Sequence, residues 1–201
     1  MAIVDAHVHI FPAEVASRPR ESFAGEACFE LLYGRAGAAL ATADQLLAAM
    51  ESSQVAVAVV CGFPWRDPSR ARDHNQLILE AARAHPGKLV PLAAIDPLAD
   101  GALGEAEWAL AAGAAGLGEI GAYLDDLGDL RVKRSLQALA SLCAEADRPL
   151  LLHTNEPVGH DYPGKAPMGL SGLYELLRAC PATRFQLAHL GGGIFFYELL
   201  R

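Results

Sequence analysis

His7 and His9 stand one residue apart at the end of an apolar segment, Ile3 to Ala6. Neutral imidazole is a strong ligand for divalent transition metals. On a strand, residues i and i+2 point to the same face, so the pair can grip one ion together. A lone His-x-His arises often by chance, but three further residues strengthen it. Glu119, His153 and His189 each end an apolar, strand-like run, and each is a metal-ligand type. Each also leads into glycine or a polar loop, as in Glu119-Ile-Gly121, His153-Thr-Asn155 and His189-Leu-Gly-Gly-Gly193. These five residues are the candidate ligands of a metal centre.

The elements that must position them alternate regularly. Strands are predicted at Ile3–Ala6, Val55–Val60, Leu89–Ile95, Ala114–Ile120, Pro149–His153 and Arg184–His189. The β-branched run of the second predicts burial on both faces. Helices are predicted over Arg70–Ala84, Ala102–Ala112, Val132–Ala146 and Leu170–Ala179, and another begins at Ile194 and runs to Arg201. A further helix starts at Thr42, where Thr42-Ala-Asp-Gln45 has capping-box form. Residues 11–41 read as a long irregular segment. Such alternation means a parallel α/β fold, either an open doubly wound sheet or a closed barrel. Ligand-type residues at the ends of several different strands favour the (β/α)8 TIM barrel, whose mouth gathers all strand ends around one point. A full barrel has eight strands in about 250 residues. The chain's 201 residues supply about six βα units in one domain, 1–201, so strands 7 and 8 are expected to be missing.

The composition is that of an ordinary globular protein, 52% hydrophobic and 20% charged. A net charge of -8 argues against a nucleic-acid surface. No targeting segment is visible and the longest apolar run, Val55 to Gly62, is far too short for a membrane span, so a cytoplasmic protein is expected. Cys28, Cys61, Cys143 and Cys180 form no Cys-x-x-Cys pair and read as reduced thiols. His74 and His85 read as surface or helix-end residues, and Glu105 and Glu107 as a solvated helix face.

Asp5-Ala-His-Val-His9, Gly116-Leu-Gly-Glu-Ile-Gly121, Leu150-Leu-Leu-His153 and Leu187-Ala-His-Leu-Gly191 resemble the strand-end motifs of the amidohydrolase superfamily. The amidohydrolase-2 group and the TatD-like hydrolases are the nearest branches, and Leu89-Val-Pro-Leu-Ala-Ala-Ile-Asp-Pro97 is similar to the third strand of the former. The resemblance implies that His7 and His9 bind the more buried metal, that Glu119 bridges two metals, and that His153 and His189 bind the second. A metal-acidified water would then attack a carbonyl or phosphoryl centre of a small substrate. The alternative is a mononuclear amidohydrolase-2-type decarboxylase or hydratase, with Glu119 beside the ligands or unused. The family's strand-8 Asp, its proton shuttle, has no counterpart here, so no catalytic residue is assigned. A third reading is an inactive barrel fragment that needs a partner segment, or a homo-oligomer, to cover its open edges. The donor set suits Zn, with Mn, Fe, Ni or Co as alternatives, one or two ions per chain.

Loops at a barrel mouth choose the substrate. Glu156, His160, Tyr162 and Lys165 in the loop after the fifth strand, and Trp65 and Arg66 after the second, are the candidate substrate contacts. Arg66 or Lys165 would hold an anionic substrate. Gly191–Gly193 either cradles a phosphate or lets the backbone pass close to the metal site.

Overall fold

In the computed structural model, which describes residues 2–35 and 37–199, six parallel strands form one curved sheet in sequence order. They are β1 (Ile3–His9), β2 (Val55–Cys61), β3 (Leu89–Ala93), β4 (Gly116–Ile120), β5 (Pro149–Leu152) and β6 (Arg184–Leu187). Helices α3 (Ala43–Ser52), α4 (Pro68–Ala84), α5 (Ala102–Ala111), α6 (Leu130–Glu145) and α7 (Leu170–Ala179) return the chain between strands, and α8 (Ile194–Leu199) follows β6. This is a half-barrel of TIM type, as the alternation implies. The predicted end of α8, Leu200 and Arg201, lies outside the described residues. Among the described residues no helix is long and apolar enough to cross a membrane.

The helices start where local chemistry lets them. Thr42 caps α3 with a complete capping box, its side chain taking the Gln45 N–H while Gln45 takes the Thr42 N–H. Asp67 caps α4 with Pro68 at the first helical position, and Asp129 caps α6. The amphipathic face of α6 places Val132, Leu136, Leu139 and Cys143 in the main core, against Leu117 and Leu150 of the sheet. Gly118 is required where it stands: it lies at a φ of +141°, and a Cβ there would meet the Leu151 side chain at 2.5 Å.

Three expectations need correction. β1 continues through His9 instead of stopping at Ala6, because its second half pairs with Val60 and Cys61 of β2. Residues 11–41 hold two short helices, α1 (Ala13–Ser17) and α2 (Ala27–Tyr33), with a 3-10 turn at Pro19–Ser22 between them. An aromatic cluster holds this segment down: Phe29 is wholly buried among Phe11, Phe63 and Trp65. Finally, β2 is fully buried on successive residues only from Val60 onward, with Ala56 exposed. Six strands do not enclose an interior, so the N-terminal ends of β1 and β2 stay open, and Ile3 and Val4 are 53% and 55% exposed. At the mouth the two sheet edges come together, with Gln186 donating from its Nε2 to the Ala6 carbonyl at 2.8 Å.

The end of β3 is held by a side chain that imitates a strand. Asn75 of α4, wholly buried, accepts from the Ala94 N–H at 2.9 Å and donates to the Ala94 carbonyl at 3.1 Å. It also donates to Glu105 at 3.0 Å, and Arg72 donates to the same carboxylate at 2.7 Å. Glu105 is therefore half-buried and engaged, unlike the solvated Glu107. Asn75→Ala leaves the buried Ala94 backbone groups without partners. It should lower stability by about 2–4 kcal/mol in urea unfolding, while Glu107→Ala should change it by less than about 0.5 kcal/mol.

Candidate metal centre

The mouth of the half-barrel brings the four candidate histidines onto the fifth candidate, the carboxylate of Glu119. Glu119, at the end of β4, is 2% exposed. Its Oε1 lies 3.0 Å from His153 Nδ1 and 3.6 Å from both His7 Nε2 and His189 Nε2. Its Oε2 lies 3.4 Å from His9 Nε2 and accepts the Tyr123 hydroxyl at 2.7 Å. The Nε2 atoms of His7 and His9 are 3.0 Å apart. A cavity of about 310 Å3, walled by His9, Tyr33, Glu119, Tyr123, His153 and His189 among others, opens beside the cluster.

Two rings of the cluster face a backbone carbonyl on one side and Glu119 on the other. His9 turns Nδ1 to the Gly62 carbonyl at 2.8 Å and Nε2 toward Glu119. His153 turns Nε2 to the Gly164 carbonyl at 3.0 Å and Nδ1 toward Glu119. A neutral imidazole has a single N–H to give. A ring that gives it to the backbone carbonyl turns a lone pair toward a carboxylate oxygen, so either a second ring proton or a cation must lie between them. That outer bond to a carbonyl is also how metal-binding histidines are commonly oriented. Burial works against the charge on Glu119, but hydrogen bonds from His153, His189 and His9 outweigh it and hold the carboxyl well below its usual range. The 3.0 Å between His7 and His9 is close to the edge of a tetrahedron around zinc, about 3.3 Å for ligand bonds near 2.0 Å, while Glu119 meets the pair through different oxygens, Oε2 at 3.4 Å from His9 and Oε1 at 3.6 Å from His7. Metal-ligating atoms of His7, Glu119 and His189 also lie within 4.8 Å of one another. Those of His7, His9 and Cys61 do the same. The donor set thus fits a divalent ion.

Sequence reasoning missed Tyr123 and Cys61. Tyr123 lies four residues beyond Glu119, and its ring packs over Gly121, where a Cβ would meet it at 2.4 Å. A phenol so near a strand-end acid was the available signal. Cys61 ends β2 behind His9, its Sγ 3.6 Å from Nδ1. Burial raises its thiol, but the neighbouring His9 and His7 outweigh that and bring it down to about 7.

The proposed substrate contacts disperse. Of the loop residues after β5, Tyr162 lines the metal cavity and donates to Glu156 at 3.0 Å. Lys165 turns back to the carbonyls of Val158, Gly159 and His160. His160 is exposed, its ring 6.0 Å from that of Tyr162. Trp65 is 2% exposed inside the aromatic cluster and does not line the metal cavity. Arg66 binds Asp96 through Nε at 2.5 Å, and Glu26 fixes the backbone beside it by accepting the N–H groups of Arg66 and Asp67. Gly192 runs against the Asn155 backbone, where a Cβ would meet the carbonyl at 2.4 Å, so the glycine run allows a close approach. His189 and Leu190 before it adopt left-handed conformations, at φ of 52° and 56°.

A family model described as Amidohydrolase, of the amidohydrolase-2 type, matches residues 4–198. The chain belongs to the amidohydrolase family. No curated protein matches it by sequence. Among solved structures it is similar to 5-carboxyvanillate decarboxylase LigW from Sphingomonas paucimobilis, at 16% identity and a TM-score of 0.67 over 98% of this chain and 70% of that one. The Metarhizium anisopliae IDCase is similar at 18% identity and a TM-score of 0.60, over 97% and 67%. N-isopropylammelide isopropylaminohydrolase from Burkholderia multivorans follows at 16% identity and 0.52, over 88% and 44%. These likenesses establish a shared barrel fold.

In this amidohydrolase, His74 is buried, contrary to the surface position expected of it. Its Nε2 donates to the Ile10 carbonyl at 2.8 Å, and its Nδ1 accepts from Trp65 Nε1 at 2.8 Å and from the Phe63 N–H at 3.4 Å. The ring rests on Gly62, where a Cβ would approach it to 2.9 Å. His74 therefore ties the residue after His9 to the residues after Gly62, the pair whose contact orients His9. Burial brings its pKa from 6.5 down to about 4, with the bond to Ile10 opposing. The unfolded chain binds this proton more readily than the folded one between those values, so stability rises with pH through that window. Between pH 7.5 and 4.5 His74 should account for about 2–3 kcal/mol of lost stability. Urea unfolding of wild type and His74→Gln at both pH values measures it: the variant should be less stable at pH 7.5, with the gap narrowing by that amount at pH 4.5.

Proposed function

We propose that this chain is a divalent-metal enzyme that works with one ion, held by His7, His9 and Glu119 with His189 within reach, on a small organic substrate. The observation that carries this reading is the convergence of four imidazoles on the buried carboxylate of Glu119, with His9 and His153 each also facing a backbone carbonyl that can accept a ring proton. A single ion is favoured because the Tyr123 hydroxyl on Oε2 of Glu119 draws on that oxygen's lone pairs and weakens it as a donor to a second metal. A bound divalent ion would supply Lewis-acid polarisation of a substrate oxygen and a lowered pKa for water.

The residues of the chain do the rest. The Gly62 carbonyl orients His9 by its contact with Nδ1 and would take that N–H when Nε2 holds a metal. Tyr123 holds the carboxylate of Glu119 and, with Tyr33, narrows the cavity through which substrate enters. The reaction class we favour is the mononuclear decarboxylase type, supported by the one-ion geometry and by the likeness to 5-carboxyvanillate decarboxylase. The second reading is a two-metal hydrolase in which His153 and His189 take their own ion. The spread of four histidines around both oxygens of Glu119 favours it.

Elemental analysis of protein purified without added metal tests both readings. About one equivalent of a transition metal, lost in His7→Ala/His9→Ala, is expected for a single closed donor set. Two equivalents would support the hydrolase, and correctly folded protein without any bound metal would overturn the proposal.

A further inference from the structure

The two cations that the sequence offers for an anionic substrate are both engaged, Arg66 with Asp96 and Lys165 with three backbone carbonyls. Other cations face a second cavity, of about 440 Å3, built by the segment between β1 and α3. Arg18, Arg20 and Arg35 line it together with Ser17, Glu21 and Tyr33. Tyr33 also lines the cavity beside Glu119, so this residue borders both spaces. Arg18 is paired with Glu21 at 2.9 Å. The guanidinium groups of Arg20 and Arg35 have no hydrogen-bond or ion-pair partner among the described residues.

Three guanidinium groups against one carboxylate make a local positive excess on a chain whose net charge is -8. Such an excess repels itself unless something negative enters. Guanidinium is also the side chain best matched to a planar or tetrahedral oxyanion, since its N–H groups form a fork that binds two oxygens at once. All three arginines are exposed, so folding does not depend on them.

We propose that this cavity receives an oxyanionic group, carboxylate or phosphate, at one end of a substrate whose other end reaches the Glu119 cluster past Tyr33. The substrate class is then a small molecule anionic at the end remote from the metal. This rests on the one-metal reading above for the reacting end only; the anion-binding end stands on the arginines.

Calorimetric titration of isophthalate, 3-phosphonobenzoate and one-ended benzoate into the protein, with metal content measured on the same samples, tests it. At least one dianion should bind more tightly than benzoate, and the preferred one tells carboxylate from phosphate recognition. Arg20→Gln/Arg35→Gln should weaken that dianion about tenfold or more and leave benzoate unchanged. A control removing equal charge elsewhere, from exposed Arg134 on α6 and exposed Arg148 just before β5 (Arg134→Gln/Arg148→Gln), should change the dianion less than about twofold. Dianion binding that is no tighter than benzoate, or equal loss in the control, overturns the inference whatever the metal content. Arginine-dependent binding in protein that takes up no metal supports the anion cavity and sinks only the one-metal reading.

Discussion

A carboxylate kept charged in a buried place governs the mouth of this half-barrel. Taking an ionised carboxyl out of water costs several kcal/mol unless charge and hydrogen bonds replace the lost hydration. Glu119 is almost fully enclosed, and its compensation comes from five side chains on four other parts of the chain: β1, the loop after β4, and the ends of β5 and β6. None of those groups is near another in sequence except His7 and His9. Parallel pairing in sequence order gathers them, because it sets every strand end on the same rim. The carboxylate and the curvature of the sheet therefore depend on each other. A flat sheet would leave Glu119 unsatisfied, and without Glu119 the imidazoles would face one another with no common partner.

A second layer keeps that rim in register. His74 and Asn75 are adjacent on α4 yet act on different strands. His74 binds the backbone after β1 and β2, and Asn75 binds the backbone after β3. Both are polar side chains spent on backbone groups at the point where strand pairing stops and the ladder no longer supplies partners. The aromatic cluster of Phe11, Phe29, Phe63 and Trp65 packs over the same region and carries the β1–α3 segment to the edge of the cavity. Tyr33 and the arginine-lined space are placed by that packing.

Much of the element order was legible in the sequence, and for clear reasons. The β-branched run at Val55–Val60, the capping box at Thr42 and the 3.6-residue periodicity of Val132–Cys143 are local signals, and local hydrogen bonding and side-chain burial act on them directly. The short helices of residues 11–41 were not legible, since α1 and α2 are only five and seven residues long and too short for periodicity to show. They are held by aromatic burial and not by propensity. Likewise, nothing in the sequence around α4 separates buried His74 from the half-buried His85 at its C-terminal end, because which face of α4 meets β2 and β3 is a tertiary fact.

The sequence by itself determined that histidines and a glutamate sit at the ends of several apolar, strand-like runs, because strand, turn and ligand type are all local properties. The tertiary structure alone decided what those residues face. It set Tyr123 on one oxygen of Glu119 and three histidines near the other, and it set His9 and His153 against backbone carbonyls. It also took Arg66 and Lys165 out of play and turned Arg18, Arg20 and Arg35 toward a cavity behind Tyr33. Those outcomes depend on distances between residues far apart in the chain. They are fixed only when burial forces every polar group at the mouth to find a partner.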